Sequence, residues 1–276
     1  MTNASALKTG DPVISIRDVS MSYGSRRVLD RVDLDIYRGE ILVLLGGSGS
    51  GKTTLLKHAL GLTKPDTGSI RINGVDITSC APSEIAAVRR RIGVAFQASA
   101  LFNSLSVADN VALPLQELTR LADSTIKLMV WMKLKAVGLS DAARLYPPEL
   151  SGGMRKRAAV ARAMALDPEL LIFDEPSAGL DPIIAAGLDE LILFLKHTLR
   201  MTILVVTHEL ESAFRIADRL AMLHQGRLIA VGTKEQFSGN IHPRIRQFLD
   251  RQPDPVAGEV AEAFIASYFG ESQHEH

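Results

Sequence analysis

Short runs of aliphatic and β-branched residues alternate with segments of helical periodicity along most of the chain. Such runs, where turn signals bound them, predict β-strands. The dipeptide Asn73-Gly74 is typical of tight hairpins and indicates that some of the strands are antiparallel. An α/β fold with a mixed sheet is therefore expected. The predicted strands are Val13–Ile16, Val32–Ile36, Ile41–Leu45, Ser69–Ile72, Leu170–Phe173 and Thr202–Val206.

The period of apolar residues becomes mostly helical from about residue 101 to residue 162. Ile126, Val130 and Leu134 show it clearly, since they recur every fourth residue and would share one face of a helix. We expect this stretch to be a helical subdomain inserted into the α/β core. The core resumes at Leu170, and Pro182 suits the first turn of a further helix.

The chain changes character again from about residue 241, where prolines precede an amphipathic stretch. Apolar residues recur there every fourth position and predict a helix with one apolar stripe. The stripe needs a cover, which is either the core of the protein or a partner subunit, and the sequence leaves both open. We expect residues 241–276 to be a C-terminal helical extension. The stripe consists of Val256, Val260, Phe264 and Tyr268.

A glycine-rich loop follows the predicted strand Ile41–Leu45 and precedes a helical pattern. This loop, Gly46–Thr53, reads Gly-Gly-Ser-Gly-Ser-Gly-Lys-Thr and matches the pattern of phosphate-binding loops. Loop N–H groups and the positive end of the helix converge on one anion in this arrangement. We expect Lys52 to reach the β- and γ-phosphates of a nucleotide and Thr53 to hold Mg²⁺.

Two further motifs point to the same chemistry. The apolar strand Leu170–Phe173 ends at Asp174-Glu175, which places two carboxylates at the sheet edge that carries the glycine loop. Asp174 can hold Mg²⁺ there, and Glu175 can orient or deprotonate a water molecule. The segment Leu150–Met154, Leu-Ser-Gly-Gly-Met, leads into another helix whose N-terminus attracts anions, with Ser151 as its cap.

Together these motifs resemble the nucleotide-binding subunits of ABC transporters, over about residues 13–240. Their order and spacing agree with that family, and Met154 is the one departure, since most members have glutamine there. The resemblance implies an ABC-type P-loop NTPase. Its parts would be a RecA-like mixed-sheet core, an antiparallel β subdomain and the helical subdomain at about 101–162.

The resemblance also implies that two subunits pair head to tail around ATP and Mg²⁺ and hydrolyse the ATP. Ser151 and Gly153 of one subunit would then close over the γ-phosphate bound at Lys52 of the other, beside the Ser177–Asp181 loop. The implied catalytic residues are Glu175, His208, Lys52 and Gln97, and the implied metal ligands are Thr53, Gln97 and Asp174. The implied nucleotide contacts are Tyr23, Gly46, Gly47, Ser48, Gly49, Ser50, Gly51, Lys52, Thr53, Thr54, Ser151, Gly152 and Gly153.

A finer resemblance concerns the segments 97–115 and 178–183. They are similar to the ATPases of bacterial phospholipid transport systems that work with MCE-domain proteins for outer-membrane lipid asymmetry. This implies a homodimer on permease subunits at the cytoplasmic face of the inner membrane, an MCE-domain partner and room for a small cytoplasmic regulatory subunit. Leu101, Phe102 and Leu105 would line a groove for the permease or pack within the subdomain.

Two alternatives stay open, an ATPase of a small-solute importer, for example for amino acids, and a soluble ABC protein outside transport.

Composition limits the classes of partner and the kinds of structure that we expect. The 31 basic and 31 acidic residues balance, so no overall field attracts nucleic acid. Cys80 is the single cysteine, which excludes an internal disulfide. The longest apolar stretch, Ile126–Leu139, is interrupted by lysines, so we expect no membrane-spanning helix.

Overall fold

Two β-sheets organise the protein in the computed structural model, which describes residue 10 and residues 12–252. The strands are β1 (Pro12–Tyr23), β2 (Arg26–Tyr37), β3 (Ile41–Leu45), β4 (Thr67–Ile72), β5 (Val75–Asp76), β6 (Ile92–Ala95), β7 (Leu170–Asp174), β8 (Thr202–Thr207), β9 (Arg219–His224) and β10 (Arg227–Gly232). The helices are α1 (Lys52–Ala59), α2 (Pro82–Arg89), α3 (Val107–Leu118), α4 (Asp123–Ala136), α5 (Gly152–Ala163), α6 (Pro182–Leu199), α7 (Leu210–Ile216), α8 (Lys234–Ser238) and α9 (Pro243–Leu249).

The first sheet is antiparallel and has the strand order β2-β1-β4-β5. β1 and β2 are longer than the sequence predicted, and their pairing runs from Pro12 opposite Tyr37 to Tyr23 opposite Arg26. Exposed polar residues in the middle of both strands hid this length, because they interrupt the apolar runs. The predicted hairpin at Asn73-Gly74 is confirmed, since it joins β4 to β5 and both residues have positive φ.

The second sheet has the order β10-β9-β3-β8-β7-β6 and is parallel except at β10. β3 and β8 are buried along their full length. Near-continuous apolar strands of this kind belong to parallel sheets that are covered on both faces. The expected α/β fold with a mixed sheet is therefore confirmed.

Helices α3, α4 and α5 occupy most of the stretch that the sequence predicted to be helical. Ile126, Val130 and Leu134 are buried on one face of α4, as their spacing predicted. Contacts join α3, α4 and α5 to one another. The strand-rich parts before and after this region belong to the same compact unit, which ends at Phe237.

The second compact unit begins at Ser238 and contains α9. The N-cap of α9 is His242, whose Nδ1 accepts a hydrogen bond from the Arg244 backbone N–H. The predicted apolar stripe at Val256–Tyr268 lies outside the described residues, so the C-terminal extension stays a prediction. Over residue 10 and residues 12–252, no helix combines the length and apolar composition that crossing a bilayer requires.

A buried asparagine fixes the chain between β6 and α3. Asn110 has no exposed surface, and its Nδ2 lies within 3.1 Å of the carbonyl oxygens of Phe102, Leu105 and Ser106. Its Oδ1 accepts a hydrogen bond from the Phe102 backbone N–H at 2.8 Å. One amide group therefore holds both ends of the 102–106 segment.

We expect Asn110→Ala to lower the free energy of unfolding by about 2–4 kcal/mol, because each buried polar group left without a partner costs about 1–3 kcal/mol. Urea unfolding followed by circular dichroism measures this change. The matched control is Asn103→Ala in the same segment, where the side chain is exposed and the expected change is about 0.5 kcal/mol or less. Equal losses in both variants would contradict the role of Asn110.

Candidate active site

Neighbouring parallel strands bring the predicted motifs to one edge of the second sheet. β3, β8 and β7 lie side by side in this order, and all three run in the same direction. The glycine loop follows β3, His208 follows β8, and Asp174-Glu175 ends β7. Binding sites of open α/β sheets lie outside the carboxyl ends of their strands, and these residues meet there.

The glycine loop is closely packed against its surroundings. A Cβ on Gly46 would lie 2.4 Å from the Leu223 carbonyl oxygen, and one on Gly51 would lie 2.8 Å from the Val28 carbonyl oxygen. Gly51 also has φ +107, which side chains rarely adopt. Helix α1 makes its first backbone hydrogen bond from Leu55, so the amides of 52–54 precede the helical ladder and can donate to an anion.

Lys52 lies across this loop with most of its side chain buried. Its Nζ donates hydrogen bonds to the carbonyl oxygens of Gly46 at 2.6 Å and Gly47 at 3.2 Å. The same atom lies 3.9 Å from Glu175 Oε1. Burial lowers the pKa of Lys52, and the carboxylates of Glu175 and Asp174 partly offset that effect. The ammonium thus faces the loop and the acids together.

Glu175 is held by the strand beside it. Its backbone N–H donates to the Val206 carbonyl at 2.8 Å, and its φ is +48. Its Oε2 accepts a hydrogen bond from Thr207 Oγ1 at 3.2 Å and lies 2.9 Å from His208 Nδ1. These contacts orient the carboxylate so that Oε1 is the oxygen nearer to Lys52.

Asp174 completes the acidic pair. Burial raises the pKa of Asp174, the neighbouring Glu175 carboxylate raises it further, and the ammonium groups of Lys52 and Lys156 oppose both effects. Two acids and two lysines therefore share one partly buried space. A change in the number of charges here would therefore shift the pKa of Asp174 and of Lys52.

The donor set fits a magnesium ion that arrives with phosphates. A hydroxyl from Thr53, an amide from Gln97 and a carboxylate from Asp174 offer the oxygen ligands that Mg²⁺ prefers. In the part of the chain that the structure describes, no group of three or more His, Cys, Asp or Glu could hold a metal by itself. Mg²⁺ is usually bound by one or two carboxylates together with substrate phosphates, which agrees with both observations.

The segment Ser151–Gly153 belongs to the start of α5 and contacts its own chain. Ser151 Oγ accepts a hydrogen bond from the Met154 backbone N–H at 3.3 Å and caps the helix. A Cβ on Gly153 would lie 2.5 Å from Ile184 Cγ2, so the start of α5 packs on the start of α6. Tyr23 ends β1 and is half exposed.

Three residues that the sequence did not select also contact the site. Thr207 binds Glu175, and Lys156 donates hydrogen bonds to the backbone carbonyls of Gln97 and Glu175. The Arg26 guanidinium lies 3.8 Å from the position of a Cβ on Gly49. Lys156 stands in the basic run after the Leu150–Met154 motif, but no local pattern relates that run to Gln97. Thr207 is the last residue of a buried strand, where threonine is ordinary.

The ABC transporter family matches residues 29–178, which is more than half of the 276-residue chain. This chain belongs to that family. The predicted ABC-type fold and the predicted activity, a transport-coupled ATPase that binds ATP, are therefore confirmed. Which residues of this ABC cassette contact the nucleotide stays a prediction.

Two groups of relatives have different names. The cassette is 44% identical over 238 residues to the intermembrane phospholipid transport system ATP-binding protein MlaF of Escherichia coli K12, over 86% of this chain and 88% of that protein. It is 43% identical over 244 residues to the probable ribonucleotide transport ATP-binding protein mkl of Mycobacterium leprae, over 88% of this chain and 70% of that protein.

Solved cassettes have the same fold. The dimeric post-hydrolysis state of the ATP-binding cassette MJ0796 bound to ADP and Pi matches with a TM-score of 0.73 and 30% identity, over 80% of this chain and 98% of that one. The structure of cbiO1 from Clostridium perfringens, part of the transporter complex cbiONQ, matches with a TM-score of 0.78 and 27% identity, over 92% and 99%.

Proposed function

We propose that this ABC cassette drives phospholipid transport between membranes, and that two copies hydrolyse ATP bound between them. The observation that carries the catalytic part is the 2.9 Å contact between His208 Nδ1 and Glu175 Oε2 beside Lys52. In this proposal residues 13–240 are the ATPase domain, with the helical subdomain at about 101–162. Residues 241–276 are the C-terminal extension.

Phosphate binding falls to the glycine loop and Lys52. The amides at the start of α1 donate to the β- and γ-phosphates, and Lys52 exchanges its two carbonyl partners for phosphate oxygens, which are stronger acceptors because they are charged. Thr53, Gln97 and Asp174 would hold Mg²⁺ together with the nucleotide, and the ion would supply positive charge against the phosphates. Tyr23 is half exposed at the end of β1, so in this proposal its ring stacks on adenine.

Glu175 activates the attacking water. Thr207 and His208 engage Oε2, so Oε1 is the atom that accepts the proton of the water. His208 keeps the carboxylate in place and faces the γ-phosphate. Phosphoryl transfer requires mainly positioning and charge stabilisation, which is what this contact network supplies.

A second copy completes the site. Ser151, Gly152 and Gly153 lie at the N-terminus of α5, where the backbone amides and the helix dipole favour an anion. In a head-to-tail dimer this terminus closes over the γ-phosphate bound to the other copy. The dimeric state of MJ0796, at 30% identity, supports this arrangement.

Phospholipid is the substrate that the relatives favour. MlaF and mkl are equally similar to this chain in sequence, but the chain spans 88% of MlaF and only 70% of mkl. The choice between them rests on the segments 97–115 and 178–183, which resemble the ATPases of bacterial phospholipid transport systems. Ribonucleotide transport is the second candidate, because the 43% identity to mkl supports it.

Partner subunits would couple hydrolysis to movement in the membrane. Phe102 is 52% exposed although Asn110 fixes its backbone, so an aromatic side chain stands on an ordered loop next to the glutamine segment. A shift of Gln97 would then displace a permease helix docked on this loop. The complex would also contain an MCE-domain protein and a small cytoplasmic regulator, at the cytoplasmic face of the inner membrane.

We expect Lys52→Ala to weaken ATP binding by roughly tenfold or more, since a hydrogen bond to a charged group contributes about 1.5–3 kcal/mol. Isothermal calorimetry with ATP and Mg²⁺ measures the affinity. Lys57→Ala is the matched control, because Lys57 is exposed on the same helix and its loss is expected to leave affinity unchanged. Unchanged binding in Lys52→Ala would refute its role at the phosphates.

We expect Glu175→Gln to bind ATP normally and to lose turnover by about 10²–10⁴-fold, because the amide cannot accept the proton of water. Gel filtration with ATP is expected to reveal an accumulated dimer. Glu169→Gln serves as the control, because Glu169 precedes the same strand and pairs with exposed Arg38 and Arg91. Wild-type turnover in Glu175→Gln would mean that another group is the base.

The transport function is tested on the assembled complex. We expect the full-length chain to co-purify with a permease and an MCE-domain protein, and the complex in vesicles to move fluorescent phospholipid when ATP is added. Glu175→Gln is the negative control for ATP dependence. Uptake of radiolabelled ribonucleotides without lipid movement would favour the second candidate and reject the first.

A further inference from the structure

Two cationic side chains of α5 hold the glutamine segment after β6. Lys156 Nζ donates a hydrogen bond to the Gln97 carbonyl oxygen at 2.7 Å. The Arg162 guanidinium donates to the carbonyl oxygens of Ala100 at 2.6 Å and Ser99 at 3.2 Å. Side chains of α5 thus bind the backbone carbonyls of this segment, so the contact does not depend on the side chains of the segment.

The segment has a backbone that needs such support. Ser99 and Ala100 both have positive φ, at +62 and +50, and neither is a glycine. Residues other than glycine persist at positive φ only where surrounding groups fix their conformation. The two hydrogen bonds from Arg162 go to these same residues, so α5 stabilises the turn that follows Gln97.

Lys156 has a second partner at the other acidic motif. Its Nζ also donates to the Glu175 carbonyl oxygen at 3.2 Å, and Glu175 is again a non-glycine residue with positive φ. The side chain is buried, with 9% exposed. One ammonium group therefore bridges two backbone carbonyls that follow the neighbouring strands β6 and β7.

A buried ammonium must be paired, and here the pairing defines a geometry. Its two hydrogen bonds hold the backbones of Gln97 and Glu175 near each other, and both backbones are held relative to α5. Ser151 caps the start of the same helix, five residues before Lys156. A displacement of α5 would be transmitted to both carbonyls.

We propose that Lys156 is a positioning residue for hydrolysis, which ties Gln97 and the backbone of Glu175 to α5 so that the three move together. The inference rests on the proposed function, in which Glu175 is the base and Ser151 engages the nucleotide of a second copy. Closure of the dimer then sets the base through Lys156. In this proposal the side chain acts through the two backbone carbonyls that it binds and not on the nucleotide or the water directly.

The test is Lys156→Met in the full-length chain, which keeps the length of the side chain and removes its hydrogen bonds. We expect kcat to fall roughly 10- to 100-fold, as misplacement by about 1 Å does, while KM and calorimetric affinity for ATP stay within about twofold. A purely structural lysine would change the melting temperature without this split between kcat and KM. Arg155→Met is the control, because Arg155 is exposed on the same helix and its guanidinium donates to the Leu150 carbonyl oxygen just before the helix.

Two more variants sharpen the result. Lys156→Gln keeps one short donor, so its kcat is expected between those of wild type and Lys156→Met, and it replaces the methionine variant if that one does not fold. In the Glu175→Gln background, Lys156→Met is expected to lower the residual turnover less than twofold, because both changes act on the same group.

Wild-type kcat in both lysine variants, an equal loss of ATP affinity, or a full further loss in the Glu175→Gln background would each overturn the inference. Loss of turnover in Glu175→Gln with wild-type turnover in Lys156→Met rejects this inference alone. Wild-type turnover in Glu175→Gln rejects the proposed function and, with it, the role of Lys156.

Discussion

The site depends on three neighbouring parallel strands, β3, β8 and β7, that end at one edge of the sheet. This constraint brings an ammonium, a histidine and two carboxylates into a partly buried space where none is fully solvated. Burial lowers the pKa of Lys52 and raises that of Asp174, and the opposite charges nearby partly offset both shifts. A triphosphate adds negative charge to this balance, which is why its binding and cleavage can reorganise the contacts.

Helix α5 connects this edge to the helical region. Ser151 caps the N-terminus of this helix, where the backbone amides favour an anion. Lys156, in the second turn, donates hydrogen bonds to two backbone carbonyls. Arg162, further along, fixes the turn after Gln97. The backbone at Glu175 and the segment that leads to the exposed Phe102 are therefore joined through α5 by hydrogen bonds to backbone carbonyls. Such contacts transmit small displacements, because hydrogen-bond geometry tolerates little change.

Relatives with two different transport names share about the same identity with this chain. The reason lies in what a cassette does. In the proposed function its residues bind and hydrolyse ATP and the cargo contacts lie on membrane subunits, so similarity within the cassette indicates the energy source more directly than the substrate. The resemblance of the segments 97–115 and 178–183 to the ATPases of phospholipid transport systems is what favours phospholipid as the proposed substrate.

The sequence by itself determined what local patterns encode. The strands at Ile41–Leu45 and Leu170–Phe173, the Asn73-Gly74 turn and the glycine loop each follow from residues a few positions apart, since φ preferences and apolar periodicity act over that range. Only the tertiary structure decided the strand order, the length of the β1–β2 hairpin and the bridge from Lys156 to Gln97, which are 59 residues apart. A lysine that donates to backbone carbonyls leaves no mark on the residues it binds, because every residue has a carbonyl, so no reading of the sequence could have found that contact.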